Sequence, residues 1–166
     1  MTGVTAVTPA AVHAALEAQG ATVAVAESLT AGLLAAALTE NPGASRTFRG
    51  GLVVYATDLK ASLAGVPADL LAAHGPVSAP VAEAMAAGVR QRLAATYGVA
   101  LTGVAGPEPQ GGQPVGTVYV GVAGPAGRSV RRLELAGDRL RIRATAVRAA
   151  LALLAATVSA EMPDRP

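Results

Sequence analysis

The chain has 166 residues, of which 52% are apolar, and a formal net charge of +2. That length suits one domain with a real core, and so small a charge gives no argument for nucleic acid. With no Cys, disulfides, thiolate nucleophiles and thiolate-held metal are excluded.

His13 and His74 stand apart from each other and from any carboxylate cluster, so neither a metal nor a cofactor is expected. No uninterrupted run of about 18 apolar residues appears, which argues against a membrane span. The N-terminus lacks a basic segment leading into an apolar one, so no signal peptide is read. A soluble cytoplasmic protein is the expectation. Of 13 basic residues, 12 are Arg and one is Lys, at position 60. A lone Lys in a chain that otherwise uses Arg suggests a place where the cation must be able to lose its proton. The plain alternative is a surviving surface Lys.

In chain order, residues 1–7 read as a loose tail. Thr8-Pro9 opens a helix and Gly20 closes it, with Val12, Ala15 and Leu16 on one face. A strand at 22–26 leads through the polar turn Glu27-Ser28-Leu29-Thr30-Ala31-Gly32 into a helix at 30–39. Asn41-Pro42-Gly43 breaks the chain. Gly51 to Tyr55 reads as a buried strand. Asp58 to Leu63 is a short helix carrying Lys60, and Pro67 starts another that ends at Gly75-Pro76. Ser78 caps a strong helix to about Tyr97, its apolar positions Val81, Met85, Val89 and Leu93 recurring every fourth residue. Val99 to Val104 is a strand running into the loop 106–113. Strands 117–122 and 129–135 form a hairpin about Gly-Pro-Ala-Gly. Asp138 caps the last long helix, to about Val158, and a frayed tail follows from Met162. Strands alternating with helices, then a late hairpin, predict a single-domain three-layer α/β/α fold with a mixed, mainly parallel sheet.

Four places can carry chemistry, each at a strand end or a helix start, where open α/β sheets bind ligands. Ser28 and Thr30 either cap the following helix or offer a nucleophile and binding hydroxyls. Glu27 either orients a partner or suits the positive helix end. Tyr55 and Lys60 run from a strand end to a helix start. Ser with a Lys base, and a Tyr to position a proton, attacks an amide without metal or His. Against this, Tyr55 can be a core aromatic with its hydroxyl at the surface. Thr102, Gly103 and Gly106 bring a strand into a glycine loop where backbone N–H groups approach a ligand. The pattern lacks the Gly-Lys-Ser/Thr ending of a P-loop. Finally, Arg139 and Arg143 share a face at a helix start. They oppose the dipole there unless a phosphate is bound, the alternative being a solvated basic face with Arg128, Arg131 and Arg132.

Six stretches together resemble the CinA C-terminal domain family. They are AESLTAG at 26–32, GGLVVYATDLKASLAGV at 50–66, GPVS at 75–78, TGVAGP at 102–107, PVGTVYV at 114–120 and GDRLRIR at 137–143, in the family's order. The family includes stand-alone nicotinamide-mononucleotide amidohydrolases. No molybdopterin-binding-like domain precedes the match, so the chain resembles that stand-alone form. The resemblance implies hydrolysis of nicotinamide mononucleotide to nicotinic acid mononucleotide and ammonia, in pyridine-nucleotide salvage. It implies Ser28 as nucleophile, Lys60 as base, Tyr55 assisting and Thr102 positioning the substrate. An arginine of 137–143, Arg139 or Arg143, would serve the site. Glu27, Thr30, Gly32, Gly103 and Gly106 would complete the binding wall. The expected partner is a small-molecule nucleotide, with no nucleic acid, no membrane and a possible homodimer. Three departures stand out: Leu29 where the family often has Cys, Ala31 where Gly is common, and a loop 106–113 less Gly-rich than usual. The rival reading is a non-catalytic nucleotide-binding module for a competence-related partner.

Overall fold

The computed structural model describes residues 6–162. The readings of a tail over residues 1–5 and of fraying beyond Met162 lie outside the described residues. Thr8 caps α1 (Pro9–Ala18), its hydroxyl accepting from the Ala11 amide at 3.2 Å. The chain continues through β1 (Val23–Glu27), α2 (Leu33–Thr39), a short 3-10 turn (Ala44–Arg46) and β2 (Phe48–Val53). Then come α3 (Thr57–Ser62), α4 (Ala68–His74), α5 (Ala79–Arg92), β3 (Tyr97–Gly103), the hairpin β4 (Thr117–Gly124) and β5 (Gly127–Glu134), and α6 (Arg139–Ala160).

The five strands form one sheet in the order β2-β1-β3-β4-β5. β1 pairs parallel with β2 and β3, and β4 pairs antiparallel with β3 and β5. Hence only β4 runs against the rest, as expected of a mixed sheet closed by a hairpin. The two faces are built from different side chains. Val23, Val25, Val99, Leu101, Val118, Val120 and Val122 point to α1, α2 and α6 and form the larger core. Ala24, Ala26, Ala100 and Ala123 point to α5 and the residues of α3 and α4. On that second face α5 lies almost on the backbone. A Cβ on Gly98 would stand 2.0 Å from the Ala86 carbonyl oxygen, and one on Gly121 2.6 Å from that of Ala82. The small residues are therefore what lets the helix seat.

Most boundaries differ from the sequence reading by one or two residues, and three differences have a physical cause. The helix expected at 30–39 begins at Leu33, because Ala31 and Gly32 take φ of 46° and 102° and interrupt the turn. The strand expected at 51–55 lies at 48–53 and is an edge strand with alternating exposure, not a buried one. Its apolar run continues past the sheet, leaving Tyr55 56% exposed. Helix α5 stops at Arg92 rather than near Tyr97, and Ala94 takes φ of 50°. Tyr97 opens β3 instead, buried, with its hydroxyl on Gln19 and Glu161.

Among the described residues α6 is the one helix long and apolar enough to cross a membrane by length and composition. It lies along the sheet with Ile142, Ala146, Ala150 and Leu154 wholly buried, which is how a core helix meets that test. His13 is also a core residue, its ring nitrogens 2.5 Å from Thr47 Oγ1 and 2.7 Å from the Leu38 carbonyl.

Candidate active site

The C-terminal ends of β1, β2 and β3 lie at one edge of the sheet. The connection from β1 to β2 passes through α2 on one face, while that from β2 to β3 passes through α5 on the other. The two connections thus run in opposite directions across the sheet and on opposite faces, the arrangement that opens a crevice outside the strand ends. Ser28 follows β1, Tyr55 follows β2 and Thr102-Gly103 ends β3. These residues line a cleft of about 480 Å³, counting its open mouth, together with Lys60, Pro76, Val77, Gly106, Glu108 and Arg139.

Lys60 sits at the bottom. Helix α3 points it back under the sheet edge, where it is 2% exposed. Its Nζ lies 3.1 Å from Ser28 Oγ and 2.9 Å from the Val54 carbonyl oxygen. Among the described residues no carboxylate forms a salt bridge with it. Burial without a counter-ion penalises the charged form, and the amine is lowered from 10.5 to about 8. In the neutral state an N–H donates to Val54 and the lone pair is free to take the Ser28 proton. The lone Lys of the sequence is therefore the residue in contact with the candidate nucleophile.

The turn that carries Ser28 is held from two sides. Glu27, 1% exposed, spends both carboxylate oxygens on the first free amides of α2, Leu34 at 2.8 Å and Ala35 at 3.0 Å. It caps the helix, so Ser28 does not have to, and the Ser28 hydroxyl faces Lys60 instead. From the other side Arg143 donates to the carbonyls of Leu29 at 2.9 Å and Thr30 at 3.4 Å. The Ser28 amide is taken by Leu101 and that of Ala31 by Ser28. Leu29 lines the cleft next to Ser28, and its amide has no acceptor among the described residues.

Arg139 crosses the mouth. It donates to the Gly106 carbonyl at 2.7 Å and to the Tyr55 hydroxyl at 2.8 Å. Of the two arginines that the sequence left open, Arg139 lines the cleft and Arg143 braces the turn behind it. Tyr55 is half-exposed at the mouth, not a core aromatic, and its hydroxyl is turned to Arg139. Thr102 donates to the Pro76 carbonyl at 2.6 Å. Its single proton is thereby committed to fixing the Pro76-Val77 wall. Among the residues singled out from sequence, the structure brings Ser28, Lys60, Tyr55, Thr102, Gly103, Gly106 and Arg139 together. Glu27, Thr30, Gly32 and Arg143 lie in the support of the turn, outside the cleft wall. Thr30 is fully buried, with its hydroxyl unpartnered. The sequence reading did not name Pro76, Val77, Glu108 and Gln110 individually, although the first two lie in the matched stretch 75–78 and the last two in the loop 106–113 that it set apart.

Residues 6–158 match the model of the CinA C-terminal domain. A CinA-like protein of Frankia casuarinae is 61% identical over 136 residues, 82% of this chain and 31% of that protein. A CinA-like protein of Anaeromyxobacter sp. strain Fw109-5 is 52% identical over 149 residues, 88% of this chain and 36% of that protein. The chain thus spans about a third of the length of the curated relatives it matches. Among solved structures, competence damage-inducible protein A from Klebsiella pneumoniae superposes with a TM-score of 0.89 at 34% identity, covering 93% of this chain and 96% of that one. The competence/damage inducible protein CihA from Agrobacterium tumefaciens gives 0.84 at 33%, covering 91% and 94%. By its sequence and by its fold, the chain belongs to the CinA C-terminal domain family.

Proposed function

We propose that the chain is a cytoplasmic amidase acting on nicotinamide mononucleotide, with Ser28 as nucleophile and Lys60 as base. The observation that carries this reading is the buried contact of 3.1 Å between Lys60 Nζ and Ser28 Oγ. That contact supports general-base activation of a serine with neither His nor metal. The carboxamide carbon meets Ser28 Oγ as the hydroxyl proton passes to Lys60 Nζ. The resulting oxyanion is met by the Leu29 amide. Collapse breaks the C–N bond, and Lys60 returns its proton to the departing nitrogen, which leaves as ammonia. Water then attacks the Ser28 ester, with Lys60 taking its proton; collapse breaks the acyl C–Oγ bond, Lys60 gives the proton back to Ser28 Oγ, and nicotinic acid mononucleotide is released with the free dyad restored. The 5′-phosphate lies at the mouth, where Arg139 and the Tyr55 hydroxyl offer donors. In this reading Tyr55 holds substrate rather than relaying a proton, since its hydroxyl is bonded to Arg139.

Ammonia release from nicotinamide mononucleotide, measured with EDTA present, tests the proposal. Wild type should release ammonia, and Ser28→Ala and Lys60→Ala should lose release while staying folded. Equal rates in wild type and Ser28→Ala would end it. Folded wild type that binds the nucleotide without releasing ammonia would make the chain a binding module.

A further inference from the structure

Three charged side chains line the cleft: Lys60 at the bottom, and Glu108 and Arg139 at the rim. Lys60 contacts Ser28 and Val54, and Arg139 is bonded to Gly106 and Tyr55. Glu108 differs from both. Among the described residues its carboxylate makes no salt bridge and accepts no hydrogen bond, although a guanidinium shares the same wall.

The position of Glu108 is nonetheless fixed from both sides. Upstream, the Gly106 carbonyl is held by Arg139. Downstream, Gln110 and Gln113 exchange both backbone hydrogen bonds, at 3.1 and 2.9 Å. They close a two-residue turn in which Gly111 and Gly112 take φ of 56° and 75°, the conformation that makes short hairpins tight. The backbone on either side of Glu108 is thereby held, and Glu108 lines the cleft as an exposed, unpaired side chain.

We infer that Glu108 sets substrate specificity by charge: its carboxylate faces the cationic ring of a bound pyridinium nucleotide and favours it over the neutral dihydropyridine form. The inference rests on the amidase reading. A carboxylate repels the phosphate, which therefore takes the Arg139 and Tyr55 side of the mouth. With the carboxamide at Ser28 and the phosphate at Arg139, the ring lies between them, and its positive charge is the feature attractive to an unpaired anion that the oxidised form has and the reduced form lacks. The rim is open to water, so the effect is modest in size and screened by salt.

Binding is measured on Ser28→Ala, which removes the difference in amide reactivity between the two ring states. Oxidised and reduced nicotinamide mononucleotide are titrated calorimetrically into Ser28→Ala and into Ser28→Ala/Glu108→Gln. In low salt, Ser28→Ala should prefer the oxidised form by about threefold to fivefold more than the double variant does. Added salt should shrink that difference. An unchanged preference, or equal weakening of both forms by Glu108→Gln, overturns the inference, the latter because it marks a contact to the shared sugar. Ammonia release by wild type is followed alongside. Release with an unchanged preference overturns the charge role alone. A shifted preference without release overturns the amidase reading and leaves the charge role standing.

Discussion

Replacing Lys60 by Met removes the amine and keeps a linear side chain of similar volume. The site is 2% exposed, so the fold carries the cost of desolvating an ammonium. Burial takes this amine from 10.5 to about 8. The sign follows from proton counting. Between those two values the unfolded chain holds the proton and the folded chain has lost it, so stability rises with pH across the window. Below about pH 8 the penalty is fully present, and the full shift corresponds to roughly 3 kcal/mol. Tyr97 limits the usable range. Burial, with Glu161 beside it, pushes that hydroxyl up to about 12. The folded chain then keeps a proton that the unfolded chain gives up near its ordinary value of 10.0, and stability falls above it. The comparison therefore runs from about pH 7 to about pH 10, over which wild type should gain roughly 2 kcal/mol relative to Lys60→Met. Urea unfolding followed by circular dichroism measures it. At the neutral end Lys60→Met should be the more stable protein despite leaving the Val54 carbonyl without its donor, a loss of about 1 kcal/mol, and it should release no ammonia. A difference between the two proteins that stays constant across the window would refute the reasoning, because it would mean that the folded chain does not desolvate this amine.

On the amidase reading the same group should set the pH dependence of the rate. The rate should climb about tenfold per pH unit on the acid side and level off above about pH 8, where Lys60 becomes neutral; a steady-state pH profile on nicotinamide mononucleotide reads it. The two arginines should separate kinetically: Arg139→Ala should raise KM about tenfold or more with little change in kcat, by loss of the phosphate contact. Arg143→Ala should mainly lower kcat, because it frees the carbonyls of Leu29 and Thr30 behind Ser28. Glu27→Ala removes the carboxylate that caps α2 through Leu34 and Ala35 and should cost about 1 to 3 kcal/mol in chemical unfolding. Gly98→Ala drives a methyl into the Ala86 carbonyl and should cost about 2 kcal/mol or more in the same assay.

The alternation of strands and helices, and the late hairpin, were legible because each element carries its own periodicity and turn residues. Strand order was not. Nothing local in the sequence places β1 between β2 and β3, and that placement alone brings Ser28, Tyr55 and Thr102 to one sheet edge. Lys60 was legible for a compositional reason: one Lys among 12 Arg suggests a position where Arg would not serve. What it touches, 32 positions back along the chain, depends on where α3 packs and could not be read. The roles of Glu27 and Arg143 were obscured by chemistry that suits either a ligand or a backbone. A carboxylate beside a helix start and an arginine near a turn satisfy peptide groups as readily as they bind substrate. Distinguishing the two needs the fold, in which both oxygens of Glu27 accept from amides of α2 and the guanidinium of Arg143 donates to the turn.

These supporting contacts also explain how a buried amine is tolerated next to a turn with strained geometry. Ala31, a non-glycine residue, takes φ of 46°, and a conformation of that kind costs on the order of 1 kcal/mol. It persists because neighbours fix both flanks: Glu27 fastens α2 to the end of β1, and Arg143 fastens α6 to the carbonyls of the turn. The three elements are further joined in one core through Val25, Leu34, Leu38, Ile142 and Ala146. Burial that destabilises charged Lys60 on α3 is thus offset by packing on the opposite face of the sheet. A variant that loosens that layer should lose activity before it unfolds. With the turn free to relax, Ser28 Oγ leaves Lys60, water reaches the amine and its pKa returns toward 10.5. Leu34→Ala is the case in point. It empties a site that is 1% exposed and should cost about 3 kcal/mol. Its rate profile should also shift alkaline relative to wild type while the protein remains folded. A profile unshifted at reduced stability would show that the dyad is held by its own contacts, independent of the core beneath it.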